Sequence, residues 1–176
     1  MPEIRAIETR YAGCRFRSRA EARWAVFFDT LGIPWRYEPE GFSLSSGPYL
    51  PDFYLPSLDV FVEVKGQAPN ANETLKARDL AQESGKIVYL FVRGPKRIVG
   101  GEEDAQQDAE AYFPNGDYDS GYWWCACDRC AATGIAWHGL ADRLCKCYEE
   151  GERNPQYDAP PIRESYEAAT SARFGT

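Results

Sequence analysis

The stretch PDFYLPSLDVFVEVKG, residues 51–66, gathers the side chains best suited to chemistry. Asp52 heads one short apolar run, and Glu63 and Lys65 stand two apart on the next. Side chains alternate along a strand, so Glu63 and Lys65 share one face while Val62 and Val64 take the other. Charges on an otherwise apolar strand must be paired or bind a metal. Sites in open α/β sheets also gather beyond strand ends, which is where Lys65 and Gly66 fall. Magnesium takes oxygen ligands, commonly one or two carboxylates together with waters. Asp52 and Glu63 offer such carboxylates, and the main-chain carbonyl of Val64 offers a third oxygen. A metal held there lowers the pKa of bound water and polarises a phosphoryl oxygen. Lys65 then orients the attacking water or offsets charge in the transition state. The chemistry such a set would support is metal-dependent phosphodiester hydrolysis; the bland alternative is a salt bridge on a sheet face.

A second set lies in CACDRCAATGIAWHGLADRLCKC, residues 125–147. Cys127-x2-Cys130 and Cys145-x-Cys147 form two pairs fourteen residues apart. Four thiolates in two knuckles suit tetrahedral structural zinc, with no open position for catalysis. Cys125 and His138 are spare ligands, so the ligand set stays open. A segment with few aliphatic side chains would draw folding energy from the ion. Cys14 stands alone.

The elements that must position these residues are marked by caps and runs. Ser18, with Glu21 three residues on, is a capping-box start for a helix over 19–31, which Gly32 and Pro34 stop. Residues 35–44 read as a strand followed by a hairpin or loop, and SSGP is a turn signal. Tyr49 to Leu55 is a short strand broken near Pro51, and Asp59 to Lys65 is the next. A second helix runs from Ala71 or Asn72 to Ser84, ended by Gly85. Lys86 to Val92 is another apolar strand. A helix between two apolar strands reads as a βαβ unit in a mixed sheet. Residues 94–120 read as solvated surface with room for a short helix at 102–112. The division predicted is a core over 1–120, a zinc-binding hairpin over 121–148, and a linker with a helix packing on the core over 149–176. That last helix spans Ile162 to Phe174.

The 176 residues suffice for one domain with a full core. The net charge of −7 is uneven. Residues 1–97 carry 14 Lys and Arg against 12 Asp and Glu, whereas the remainder carries 6 against 15. A basic cluster early in the chain therefore remains available to phosphates despite the acidic total. Arg17, Arg19 and Arg23, with Lys76 and Arg78 on the second helix, are the candidates; their bland reading is a solvated helix face. No apolar run approaches the eighteen residues of a membrane span. The N-terminal residues lack the apolar centre of a secretory signal, so a cytoplasmic location is expected.

PDF…EVKG resembles the signature of the PD-(D/E)XK nuclease superfamily. Asp52 matches its metal-binding aspartate, Glu63 its variable acidic position and Lys65 its lysine. Glu21 matches the glutamate that the superfamily often carries on its first core helix. Residues 16–44 are similar to the helix and first strand of a compact phage or bacterial subgroup, and the likeness covers residues 16–93 best. The resemblance implies an α/β restriction-endonuclease-like core, a central mixed sheet flanked by helices. It also implies magnesium or manganese at the acidic residues, and DNA as substrate. Paired cuts would call for a dimer. With no recognition helix or separate reading domain evident, low sequence preference is expected. Two competing readings remain: a catalytically silent DNA-binding or regulatory protein, and a zinc-stabilised adaptor whose acidic tail meets another protein.

Overall fold

The computed structural model describes residues 6–96, 109–137, 144, 145, 147 and 157–175. Their centre is a seven-stranded mixed sheet flanked by three helices. In chain order the elements are β1 (Thr9–Tyr11), β2 (Cys14–Phe16), α1 (Arg19–Leu31), β3 (Arg36–Tyr37), β4 (Phe42–Leu44), β5 (Gly47–Tyr49), β6 (Phe53–Leu55), β7 (Val60–Lys65) and α2 (Ala71–Ser84). These are followed by β8 (Val88–Val92), β9 (Ala109–Tyr112), β10 (Tyr118–Ala126), β11 (Thr133–Trp137) and α3 (Pro160–Ser171). The sheet order is β11-β10-β9-β8-β7-β6-β3, and β7 with β8 is its parallel pair. The hairpins β1-β2 and β4-β5 stand apart from it.

The alternation of β7 sorts the two faces. Val62 and Val64 join the core beneath α1 and α3. Phe61 joins the smaller core beneath α2, and by the same alternation Glu63 and Lys65 turn to that side. The parallel partner β8 follows after α2, as a crossover connection requires. α2 starts at Asn70, whose side chain accepts from the N–H groups of Asn72 and Glu73, while Glu73 returns a bond to the cap. α1 starts at Ser18 and ends at Gly32, whose φ of 73° is the left-handed conformation that glycine adopts without strain. Its buried face carries Trp24, Phe27 and Phe28. Trp24 packs on Phe91 of β8 with ring centres 4.4 Å apart, and its indole N–H donates to the Arg93 carbonyl at 3.0 Å. Phe27 meets Tyr166 of α3 at 4.7 Å, which fixes the last helix on the core.

Several local expectations change. The strand expected within 35–44 is only Arg36–Tyr37; the chain then makes a separate hairpin, β4-β5, around Ser45 and Ser46. Residues 109–112, expected to end a short helix, form β9 against β8; residues 102–108 lie outside the described residues. The boundary drawn at residue 120 falls inside β10, so both strands of the cysteine hairpin belong to the central sheet. α3 starts two residues early because Pro160 and Pro161 occupy its first turn, where no main-chain donor is needed. It stops at Ser171. No helix among the described residues is long and apolar enough to cross a membrane.

Candidate active site and metal centre

The β6-β7 hairpin brings the two carboxylates of the 51–66 stretch together. Phe53 is paired with Val62 and Leu55 with Val60, so Asp52 stands opposite Glu63 just beyond the paired residues. The Asp52 N–H donates to Glu63 Oε1 at 3.2 Å, and the Val64 N–H donates to Asp52 Oδ2 at 2.8 Å. Lys65 Nζ donates to Glu63 Oε2 at 3.0 Å. Asp52 is 3% exposed and Glu63 1%, so both would be costly as lone charges. Phe61 and Lys65 use main-chain groups toward β8. Alternation therefore turns the Val64 carbonyl toward β6 and the Asp52 side.

Glu21 approaches from α1 but is committed elsewhere. Its Oε1 accepts from the Ser18 hydroxyl at 2.7 Å, and its Oε2 accepts from the Tyr37 hydroxyl at 2.6 Å and the Arg17 N–H at 3.1 Å. It remains close enough to Asp52 to act on it electrostatically. The sequence expectation of a carboxylate trio thus resolves into a close pair, Asp52 and Glu63, with Glu21 beside it as part of the helix cap.

The proposed phosphate contacts separate. Arg17 joins the site, donating to Asp52 Oδ1 at 2.6 Å and to Glu38 Oε1 at 2.9 Å. Arg19 and Arg78 are exposed. Arg23 is half-buried, with its Nε covered and without a hydrogen bond. Lys76 lies over the Tyr49 ring, 5.5 Å from its centre.

Three neighbours were not singled out from sequence: Tyr37, Glu38 and Tyr49. Tyr37 and Glu38 reach the site through β3 and the residue after it, and only tertiary approach reveals them. Tyr49 comes from the β4-β5 hairpin. Its buried hydroxyl faces Glu63 yet makes no hydrogen bond of good geometry. Burial, then the Glu63 charge, pushes its pKa far up, so it stays a donor. The Tyr49 hydroxyl thus adds a donor beside two buried carboxylates.

The electrostatics ask for positive charge. Burial first, then the Glu63 carboxylate, pushes the Asp52 carboxyl well above 3.8, while Lys65 opposes the rise. For Lys65, burial pulls downward but Glu63 and Asp52 outweigh it, and the ammonium is held above 10.5. The donor set of Asp52, Glu63 and the Val64 carbonyl, all hard oxygens, suits magnesium or manganese.

A pH dependence follows with a definite sign. A carboxyl whose folded pKa is raised gives stability that is complete below its unfolded value and lost as pH climbs through the folded one. In magnesium-free buffer the wild type should lose stability relative to Asp52→Asn as pH rises above 3.8, the ordinary value for this group. Urea midpoints of the two proteins, measured across that range, give the difference curve. A flat curve, or one of opposite slope, would refute the assignment.

The second centre gathers Cys127, Cys130, Cys145 and Cys147, whose sulfurs all lie within 4.8 Å of one another. Tetrahedral zinc with bonds of about 2.3 Å needs sulfurs about 3.8 Å apart, which such a cluster accommodates. Cys127 continues β10, and the turn after it is closed by Ala131 N–H to Cys127 O at 3.1 Å and Cys127 N–H to Ala132 O at 2.8 Å. Main-chain N–H groups of Cys130 and Arg129 lower the Cys127 thiol to about 7. Cys130 and Cys145 push Cys147 up to about 12. Without a cation the cluster therefore resists full ionisation, and a bound cation reverses that. Cys125 is not one of the four: it is buried in β10, opposite Gly134 of β11. His138, the other spare ligand, lies outside the described residues.

The protein is thus an α/β domain with a buried Asp–Glu pair and a half-buried lysine at one end of a parallel strand pair, and a four-cysteine cluster able to chelate a metal at the sheet margin. Comparison of the chain with protein-family models, with curated proteins and with solved structures finds no match.

Proposed function

We propose that this protein is a metal-dependent DNA endonuclease of the restriction-endonuclease-like type, with a structural zinc at its cysteine cluster. The observation that carries the reading is the meeting of buried Asp52 and Glu63 with half-buried Lys65 in one group, reached by pairing of β6 with β7. Lys65 pairs with Glu63, whereas Asp52, buried against Glu63, has only the half-exposed Arg17 as its cation, and a divalent cation offsets the cost of burying the two carboxylates together. Asp52, Glu63 and the Val64 carbonyl would hold magnesium or manganese. The bound ion supplies Lewis-acid polarisation and an acidified water. Lys65 would offset negative charge that develops on the phosphoryl oxygens. Glu21 fixes the start of α1 and adds negative potential at Asp52. Arg17, Arg19, Arg23, Lys76 and Arg78 supply positive charge for the DNA backbone, which positions a substrate without reading its bases.

A panel of labelled duplex, single-stranded and branched DNAs, with RNA beside them, tests this in magnesium or manganese. Cleavage should occur at many positions. Activity should also fall steeply with added salt, as backbone-dominated contact demands. Cutting at one defined duplex sequence would overturn the low-specificity part. No cleavage of any substrate by metal-loaded protein would overturn the nuclease itself and favour a silent DNA-binding protein.

A further inference from the structure

Arg17 is built differently from the other basic residues near the site. Its main chain is pinned: its N–H is shared between Glu21 Oε2 at 3.1 Å and the Tyr37 hydroxyl at 3.0 Å, immediately before the cap of α1. Its side chain, by contrast, is 55% exposed and reaches inward only at its tip. That tip bridges Asp52, which is buried, and Glu38 at the rim. Glu38 has a left-handed φ of 45°, unusual for a non-glycine residue, and its N–H donates to the Asp52 carbonyl at 2.9 Å. Such strain persists only where its surroundings impose it. Glu38 thereby holds the guanidinium at the mouth of the site, beside Asp52 and not within the core.

A divalent cation on Asp52 would repel the Arg17 guanidinium, which lies 2.6 Å from Asp52 Oδ1, so metal binding weakens the Arg17–Asp52 pair. Resting on the metal-site reading of Asp52, we propose that Arg17 exchanges partners. It neutralises Asp52 until a divalent cation takes that carboxylate, and the released guanidinium then binds a phosphodiester oxygen of the substrate. Its fixed main chain keeps it within reach. Its planar fork suits two phosphate oxygens as well as it suits carboxylates. The same residue thus weakens metal binding in the absence of DNA and strengthens DNA binding in the presence of metal. By linkage, DNA must then tighten metal binding by the same factor by which metal tightens DNA binding.

The test uses the full chain with its zinc in place and no nucleic acid. Manganese binding is followed by electron paramagnetic resonance of the free ion, for wild type, Arg17→Gln and Asp52→Asn. Arg17→Gln should bind manganese about fivefold more tightly, the scale of one partly exposed ion pair. In wild type, the Arg17 Nε–H resonance should shift as magnesium is added, a readout that needs no variant to fold. With a phosphorothioate DNA duplex, manganese should strengthen wild-type binding, and Arg17→Gln should lose about fivefold of that gain. Unchanged or weaker manganese affinity in Arg17→Gln, with Asp52→Asn abolishing binding, would overturn the exchange and leave the metal site standing. Manganese affinity untouched by Asp52→Asn would overturn the metal site and the exchange with it. A resonance that does not move under saturating magnesium would overturn the exchange alone.

Discussion

Replacing Lys65 by Ala is expected to cut DNA cleavage by about 10²- to 10³-fold, the usual cost of removing one donor aimed at developing charge. The same change should destabilise the metal-free protein by about 3 kcal/mol, because it leaves Glu63 buried without its cation. Glu63 is 1% exposed and Lys65 is its ion-pair partner at 3.0 Å, so water cannot readily compensate. Magnesium should restore part of that stability. Asp52→Asn should behave differently: cleavage is lost with the ligand, but the fold is retained. The amide oxygen still accepts from the Val64 N–H, one buried negative charge disappears, and the half-exposed Arg17 swings into solvent. Cleavage rates and urea unfolding of both variants, with and without magnesium, measure the contrast. Full cleavage by either variant would refute the catalytic assignment.

Removal of zinc should have the largest effect on stability. Four sulfurs within 4.8 Å bring the end of β10 at Ala126 close to Cys145, nineteen residues downstream. β10 and β11 form one margin of the central sheet, and Trp124 of β10 packs on Phe27 and Phe28 of α1. Losing the ion should therefore loosen the sheet margin and the core behind it. If the ion contributes about 3–4 kcal/mol to the folded domain, the melting temperature falls by about 10 °C. Protein purified without added metal should hold one zinc per chain, and Cys145→Ser with Cys147→Ser should hold none. Elemental analysis and calorimetry decide it; zinc absent from the wild type, or retained by the double variant, would refute the assignment.

The well-read elements were those with local signals. α1 and α2 carry capping residues at one end and glycines at the other, and both begin and end where these fall. β7 and β8 are nearly unbroken apolar runs and lie side by side at the middle of the sheet. The β1-β2 hairpin and β9 carry weaker marks. Ala109–Tyr112 (AEAY) has helix-favouring composition, and pairing with β8 overrides it. The meeting of Asp52, Glu63 and Lys65 was legible because strand alternation and a short turn leave few other arrangements. Glu38 and Tyr49 were not, because each arrives through a loop or hairpin whose approach depends on packing. The same holds for Glu21, whose capping role follows from Ser18 and whose contact with Tyr37 does not.

The turn between β6 and β7 sets the gauge of the whole site. Asp59, at φ 55°, closes it, held by the Tyr54 hydroxyl and the Lys86 ammonium. Leu58 N–H returns to the Leu55 carbonyl at 3.2 Å. These contacts lie at the far end of the hairpin from Glu63, yet they count out the residues that bring Asp52 level with it. A frame error of one residue there would turn Glu63 and Lys65 into the α1 core and Val62 and Val64 toward α2. The hairpin therefore works as a vernier: its spacing is adjusted at one end and read at the other. A one-residue register shift set in Pro56–Asp59 would separate Asp52 from Glu63 without replacing either residue.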